Sequence, residues 1–276
     1  MKETLRGPES DSASQRRELK RRAEREALIM ASVQAEGYVP IEKLAEICGT
    51  STQTIRRDLA ALSAEGKVER YHGGACLPTA VAPPPDSNFA KRSAVSVTEK
   101  AAAASLLADL IPDGASLFLS GGSTLAIAAD VLSQRENLVV VTNNLQAALR
   151  LYDQESFQVL VAGGWIRTAS GSLIGEDTIN AIDRFSLDFC IISTASISPL
   201  GAILERDQSV AAPIVAMLQR ARRKVLVVDG SKFNARGIVR TAFLHEMDYV
   251  LTDRPPPPHI KNLIDQSDTK LLVKNP

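Results

Sequence analysis

The sequence predicts two domains: a small α+β unit of helices and a hairpin, then a larger α/β domain whose mostly parallel sheet is covered by helices. Three observations carry that prediction. Apolar residues recur at helical spacing on both sides of a glycine turn between Ile41 and Leu62. A proline-bearing stretch, LPTAVAPPPDS from Leu77 to Ser87, has the composition of a semi-extended spacer. Beyond it, short β-branched runs alternate with helix-length patterns.

Ile41, Leu44, Ala45 and Cys48 fall at i, i+3, i+4 and i+7, one buried helix face, with Pro40 suited to the helix start. Gly49 and Thr50 break that helix, and Ser51 is a good N-cap for the next. In the second helix Ile55, Leu59 and Leu62 form the apolar stripe. At about 100° per residue, Gln53, Arg56, Arg57 and Ala60 then point the opposite way. Arg and Gln read guanine and adenine edges bidentately, and hydroxyls at a helix start, here Ser51, Thr52 and Thr54, suit phosphates. Lys67 to Tyr71 gives a short strand and His72-Gly73-Gly74 a turn, the shape of a wing whose Arg70 and His72 would complete the contact with double-stranded DNA. By periodicity the unit reads as an α+β helix-turn-helix with a hairpin, and the polar face of its second helix suits either a DNA groove or, as a solvated amphipathic helix with ordinary surface arginines, the solvent. The layout is a disordered tail over 1–15, this domain over 16–75, a linker over 76–92 and the α/β domain over 93–276.

Composition bounds the rest. A chain of 276 residues with 45% hydrophobic and 4% aromatic content has the length for two cores. Its 32 basic and 32 acidic residues cancel, which argues against indiscriminate polyanion binding but not against a specific operator contact. Arg16 to Arg25 holds six basic residues, suited to a phosphate backbone or to a solvated helix face. Cys48, Cys76 and Cys190 show neither zinc-type nor disulfide-type spacing, so no metal and no cofactor are expected. With no apolar leader and no membrane-length run, the expected location is the cytoplasm.

In the second domain the expected strands are Ser116–Leu119, Leu138–Val141, Gln158–Val161, Phe189–Ile192, Val225–Val228 and Tyr249–Leu251, with helices such as Ala126–Ser133 and Ser209–Arg222 between them. Ligands of such sheets bind at the carboxyl ends of strands. Four polar loops follow strands here. Ser120-Gly121-Gly122-Ser123-Thr124 opens a helix, where glycines let backbone approach an anion and the helix start supplies free N–H groups. Thr142-Asn143-Asn144 offers hydrogen-bonding side chains. Gly163-Gly164-Trp165-Ile166-Arg167 and Asp229-Gly230-Ser231-Lys232-Phe233 each bring a cation.

Two stretches, TIRRDL and EGKVERYHGGA, resemble the winged helix-turn-helix of the DeoR family of bacterial transcriptional regulators. The pieces GGST, VTNN, AGGWIR and DGSKF lie in the order of that family's C-terminal sensor domain, which is related in fold to ribose-5-phosphate isomerase. The resemblance runs from about Arg16 onward. It implies a repressor of a carbohydrate-catabolism operon, released by a phosphorylated sugar or sugar alcohol. By position, Gly121, Gly122, Ser123 and Thr124 would hold the phosphate or neighbouring hydroxyls, and Thr142, Asn143, Gly163, Gly164, Arg167 and Lys232 would complete the pocket. One recognition helix reads too few base pairs, so a homo-oligomer on a palindromic site is expected, paired through the helix from Arg16 to Ala35 or through the C-terminal domain.

The chain departs from the family pattern at three places. Ser120 stands where many relatives have Asp, Ser193 to Gly201 reads STASISPLG, and Gln208 to Gln219 holds no charge and is interrupted by Pro213. These point to altered effector specificity. Two alternatives stand beside the regulator: a sugar-phosphate isomerase-like enzyme and a DNA-binding protein with a degenerate pocket. Isomerisation needs a carboxylate base, and Ser193-Thr194-Ala195-Ser196 has none.

Overall fold

Two apolar periodicities build the protein, one near 3.6 residues in the first part of the chain and one of two residues in the sheet that follows. The computed structural model describes residues 8–36, 38–71, 73–78, 89–233 and 235–274. They divide into two units, Met1–Pro78 and Thr79–Pro276.

The first unit runs α1 (Pro8–Glu36), β1 (Tyr38–Pro40), α2 (Ile41–Ile47), α3 (Thr52–Ala64), β2 (Glu69–Tyr71) and β3 (Gly74–Cys76). Residues 8–15 of the expected tail are helical, and residues 1–7 lie outside the described residues. The strands form an antiparallel sheet in the order β1-β3-β2. Ile29 and Val33 of α1 pack with Ile41, Leu44, Ile55, Leu59 and Leu62 in one core, which fixes the helix-turn-helix angle by burial of both stripes. Gly49 sits at φ +58 between α2 and α3, a conformation that glycine adopts without a Cβ penalty. Gly74 has a different reason to be glycine. A Cβ there would meet the Tyr38 ring at 2.5 Å, so the wing could not close on β1.

Asp58 adds a contact the apolar pattern does not announce. It lies on the buried side of α3 and takes Arg25 Nε at 2.8 Å and Nη2 at 3.3 Å, a two-pronged pair that ties α3 to α1. The carboxylate beside it raises the pKa of Arg25 further. Asp58→Ala is expected to lower the unfolding free energy of this unit by ~1–3 kcal/mol, because it leaves a half-buried guanidinium without its acceptor. Urea titration followed by circular dichroism reads the change, and an unaltered midpoint would remove the pair from the account of stability.

The second unit starts with α4 (Phe89–Ser93), α5 (Val97–Ser105) and α6 (Leu107–Leu110), so residues 89–92 of the expected linker are helical and Cys76 is in β3; residues 79–88 lie outside the described residues. It continues through β4 (Ser116–Leu119), α7 (Ser123–Leu132), β5 (Val139–Thr142), α8 (Leu145–Leu151), β6 (Gln158–Val161), β7 (Trp165–Arg167), β8 (Ser172–Ile174) and α9 (Glu176–Ile182). Then follow β9 (Leu187–Ile192), β10 (Ser196–Ile197), β11 (Ala202–Glu205), α10 (Gln208–Gln219), β12 (Ala221–Val228), β13 (Val239–Phe243), β14 (Tyr249–Thr252), α11 (Pro258–Asp265) and β15 (Lys270–Val273).

Seven of these strands form one sheet in the order β15-β14-β12-β9-β4-β5-β6, every neighbouring pair parallel. Alternate residues feed two cores. Leu117, Leu119, Val225 and Val227 join one with α5, α7 and α8, whereas Phe118, Leu226 and Val228 join the other with α9, α10 and α11. β10, β11 and β13 make a separate antiparallel sheet, and β7 and β8 a hairpin. Pro213 does not interrupt α10, which runs through it from Gln208 to Gln219. One missing N–H is tolerated because Ala211, Ile214, Met217 and Leu218 are all buried around it. Asp188 is inside β9 rather than before it, and its Oδ2 accepts from Ser116 Oγ at 2.6 Å across the sheet. No helix among the described residues is long and apolar enough to cross a membrane.

Candidate functional site: a recognition helix and a cation-lined cavity

In the first unit Ser51 caps α3 as its sequence implies. Its Oγ accepts the Thr54 backbone N–H at 3.2 Å and shares a hydrogen with Thr54 Oγ1 at 3.0 Å. With Ile55, Leu59 and Leu62 turned into the core, Gln53, Arg56, Arg57 and Ala60 stand exposed. Arg70 is exposed on the hairpin strand β2, opposite Ala75, while His72 lies outside the described residues. Thr52 and Thr54 are half-buried at the start of α3. The arrangement is a helix N-terminus and a guanidinium-bearing face free to meet a duplex, beside a short hairpin.

In the second unit a cavity of about 460 Å³ lies at the carboxyl ends of β4, β9 and β12. Its wall takes Gly121, Gly122, Ser123 and Thr124 from the loop after β4, Ser193, Thr194 and Ala195 after β9, and Ser231 and Lys232 after β12. Gly122 precedes α7 at φ +126, so the loop presents the unpaired N–H groups of a ten-residue helix. A side chain on Gly121 would collide with the Ser172 hydroxyl of β8, which leaves glycine as the residue that fits between loop and hairpin. Asp229 caps the turn at Gly230–Lys232, its Oδ1 accepting the Ser231 N–H at 3.0 Å, and its Oδ2 lies 3.8 Å from Lys232 Nζ.

Five cationic side chains line the cavity: Arg92, Lys100, Arg167, Arg206 and Lys232. Lys100 is the most buried of the lysines, and its Nζ donates to the carbonyls of Arg92 at 2.6 Å and Val95 at 2.7 Å. Burial, helped by nearby Lys232, holds its ammonium down to about 8, a poised cation in an anion-friendly cavity. Arg92 is likewise lowered by burial and by the neighbouring Arg206 and Arg167. Arg167 is already engaged, with Nη2 2.7 Å from Asp207 Oδ2. Such a wall stabilises a dianionic group on a small ligand and disfavours a neutral one.

Four residues expected in the pocket are not on its wall. Thr142 is buried and donates to Leu119 O at 2.6 Å while accepting the Asn144 N–H at 3.0 Å, so its hydroxyl joins β4 to β5. Asn143 donates to Leu173 O at 2.9 Å and supports β8 from behind Gly121. Gly163 O accepts from Thr178 Oγ1 at 2.5 Å, and Gly164 packs against Thr178 and Ile174 at φ +119, so both serve the turn into the β7–β8 hairpin. Conversely, Arg92, Lys100, Ser170, Ser172, Glu205 and Arg206 were not legible as pocket residues. Their only sequence signal is polar character near apolar runs, which a solvated face shares.

A DeoR-like helix-turn-helix domain matches residues 25–81, and a DeoR C terminal sensor domain matches residues 95–254. The chain belongs to the DeoR family. It is a DNA-binding transcriptional regulator with a sensor domain. A glycerol-3-phosphate regulon repressor of Escherichia coli (strain K12) is 37% identical over 243 residues, spanning 88% of this chain and 95% of its own. One from Haemophilus influenzae is 37% identical over 247 residues, spanning 90% and 95%. The HTH-type transcriptional repressor CsqR of Escherichia coli (strain K12) is 32% identical over 245 residues, spanning 89% and 93%. Among solved structures, ribose 5 phosphate isomerase A from Neisseria gonorrhoeae superposes loosely, with a TM-score of 0.37 and 12% identity over 54% of this chain and 56% of that one.

Proposed function

We propose that this DeoR-family regulator represses a carbohydrate-catabolism operon and leaves its operator when a phosphorylated polyol of the glycerol 3-phosphate class fills the cavity of its sensor domain. The observation that carries the reading is the convergence of five cationic side chains and the glycine loop before α7 on one small cavity. Two relatives named as glycerol-3-phosphate regulon repressors support the choice of ligand. In this reading Gly121, Gly122, Ser123, Thr124 and Lys232 hold the phosphate. Ser51, Thr52 and Thr54 take DNA phosphates, Gln53, Arg56 and Arg57 read base edges, and Arg70 with His72 touches the backbone from the wing. Two or more copies pair so that two α3 helices meet a palindromic site.

The site is read as a sensor, not a catalyst, because the relatives that span most of the chain are named as repressors. A ligand shifts DNA affinity only through a difference in its own affinity for the two arrangements. Fluorescence anisotropy on a labelled operator fragment tests the reading. Glycerol 3-phosphate is expected to lower operator affinity and to be recovered unchanged, while glycerol alone leaves binding intact. A flat response to glycerol 3-phosphate would sink the proposal, and its conversion to another compound would favour the enzyme.

A further inference from the structure

One acid in the cavity wall is explained neither by an ion pair nor by a helix cap. Glu205 ends β11 with only 9% of its surface exposed, and its Oε1 accepts the Ala195 backbone N–H at 3.1 Å. Asp207, two residues on, is fully engaged. Its Oδ2 takes Arg167 at 2.7 Å, and its Oδ1 takes the Val210 N–H at 3.1 Å and Ser209 Oγ at 2.6 Å, capping α10. Among the described residues no lysine or arginine nitrogen comes within ion-pair distance of the Glu205 carboxylate, although five cationic residues share its cavity. Burial pushes its carboxyl up to about 7, against the opposing pull of the Ala195 and Arg206 backbone N–H groups and of the Arg206 charge.

A buried carboxylate held by backbone N–H groups, with no cation on it, carries a desolvation cost that those bonds offset only in part. A ligand that brings donors to it would repay that cost. In its ionised form, which hydroxyl donors favour, the Glu205 carboxylate only accepts hydrogen bonds, so it repels phosphate oxygens and welcomes hydroxyl groups. Glu205 therefore cannot belong to the phosphate end of the site, although it opens into the same cavity of about 460 Å³ as Gly121–Thr124 and Lys232. We propose that Glu205 is the specificity-determining residue of the sensor domain, accepting hydrogen bonds from the hydroxyl groups of a phosphorylated polyol whose phosphate is held by the glycine loop. This rests on the anion reading of the cavity given above. It adds an orientation for the ligand, and it excludes phosphate esters that carry a second anion at the far end.

Isothermal titration of the full chain with glycerol 3-phosphate and with propyl phosphate separates the two ideas, since the esters share a phosphate and differ in their hydroxyl groups. The wild type is expected to prefer glycerol 3-phosphate by about tenfold or more, as a site built to bond a hydroxyl rejects the analogue lacking it. In Glu205→Ala the preference is expected to fall to within about twofold, because the lost interaction involves only the hydroxyls. Glu205→Gln keeps the side-chain volume and the Ala195 bond, and should bind propyl phosphate as well as the wild type or better while losing part of the preference. Equal weakening for both esters in Glu205→Gln, or a preference that survives in both variants, would overturn the assignment. Wild-type protein that binds neither ester would overturn the anion reading itself.

Discussion

Arg56→Ala and Arg57→Ala are each expected to weaken operator binding by ~1–3 kcal/mol, roughly five- to 150-fold, where the side chain reads a base. Both residues are exposed on α3, opposite the stripe of Ile55, Leu59 and Leu62 that anchors the helix. Truncation to alanine should leave the fold intact, since alanine is the best helix former and neither side chain is buried. Binding to operator and to random DNA, each titrated at two salt concentrations, distinguishes the roles. A base-reading arginine loses specific affinity and spares non-specific binding, whereas a phosphate contact weakens both and flattens the salt slope. Full operator affinity in both variants would show that α3 is not the recognition helix.

Lys232→Ala is expected to lower glycerol 3-phosphate affinity by about ten- to 100-fold, the size of a lost charge-assisted hydrogen bond near ~1.5–3 kcal/mol. Lys232 follows β12 in the cavity wall, and its Nζ lies 3.8 Å from Asp229 Oδ2. Removing it takes a cation from the phosphate end and leaves the buried Asp229 carboxylate without the charge beside it. Operator binding without effector should change less than twofold, because no element of the winged unit is altered. Operator release against ligand concentration provides the measurement. A release curve that overlays the wild type would place the phosphate elsewhere. Arg167→Ala should act differently, since that guanidinium is held by Asp207 and its loss loosens the cap of α10.

Local chemistry made much of this legible. The Ser51 cap, the apolar stripe of α3 and the exposure of Arg56 and Arg57 depend on residues within four positions of each other, so periodicity reports them directly. The parallel sheet is equally visible, because strands buried on both faces read as short apolar runs, as in Val225 to Val228. The glycine loop at Gly121 and the cation at Lys232 follow from a general rule that ligands bind beyond the carboxyl ends of such strands.

The rest was decided by closure of the fold. Thr142 and Asn143 end a strand as the rule asks, yet the Thr142 hydroxyl and the Asn143 Nδ2 donate to Leu119 O and Leu173 O, partners 23 and 30 residues away. Arg25 and Asp58 meet across 33 residues, and nothing in either helix alone shows the pair. Lys100 and Glu205 reach one cavity from distant elements, and their pKa shifts arise from burial. Sequence by itself determined six of the seven strands of the parallel sheet, the two helices of the helix-turn-helix and the exposed face of α3, because hydrophobic spacing is a local property. Only the tertiary structure decided which polar groups are spent holding elements together and which remain to meet a ligand. That division depends on the partner each buried group finds, and those partners come from remote parts of the chain.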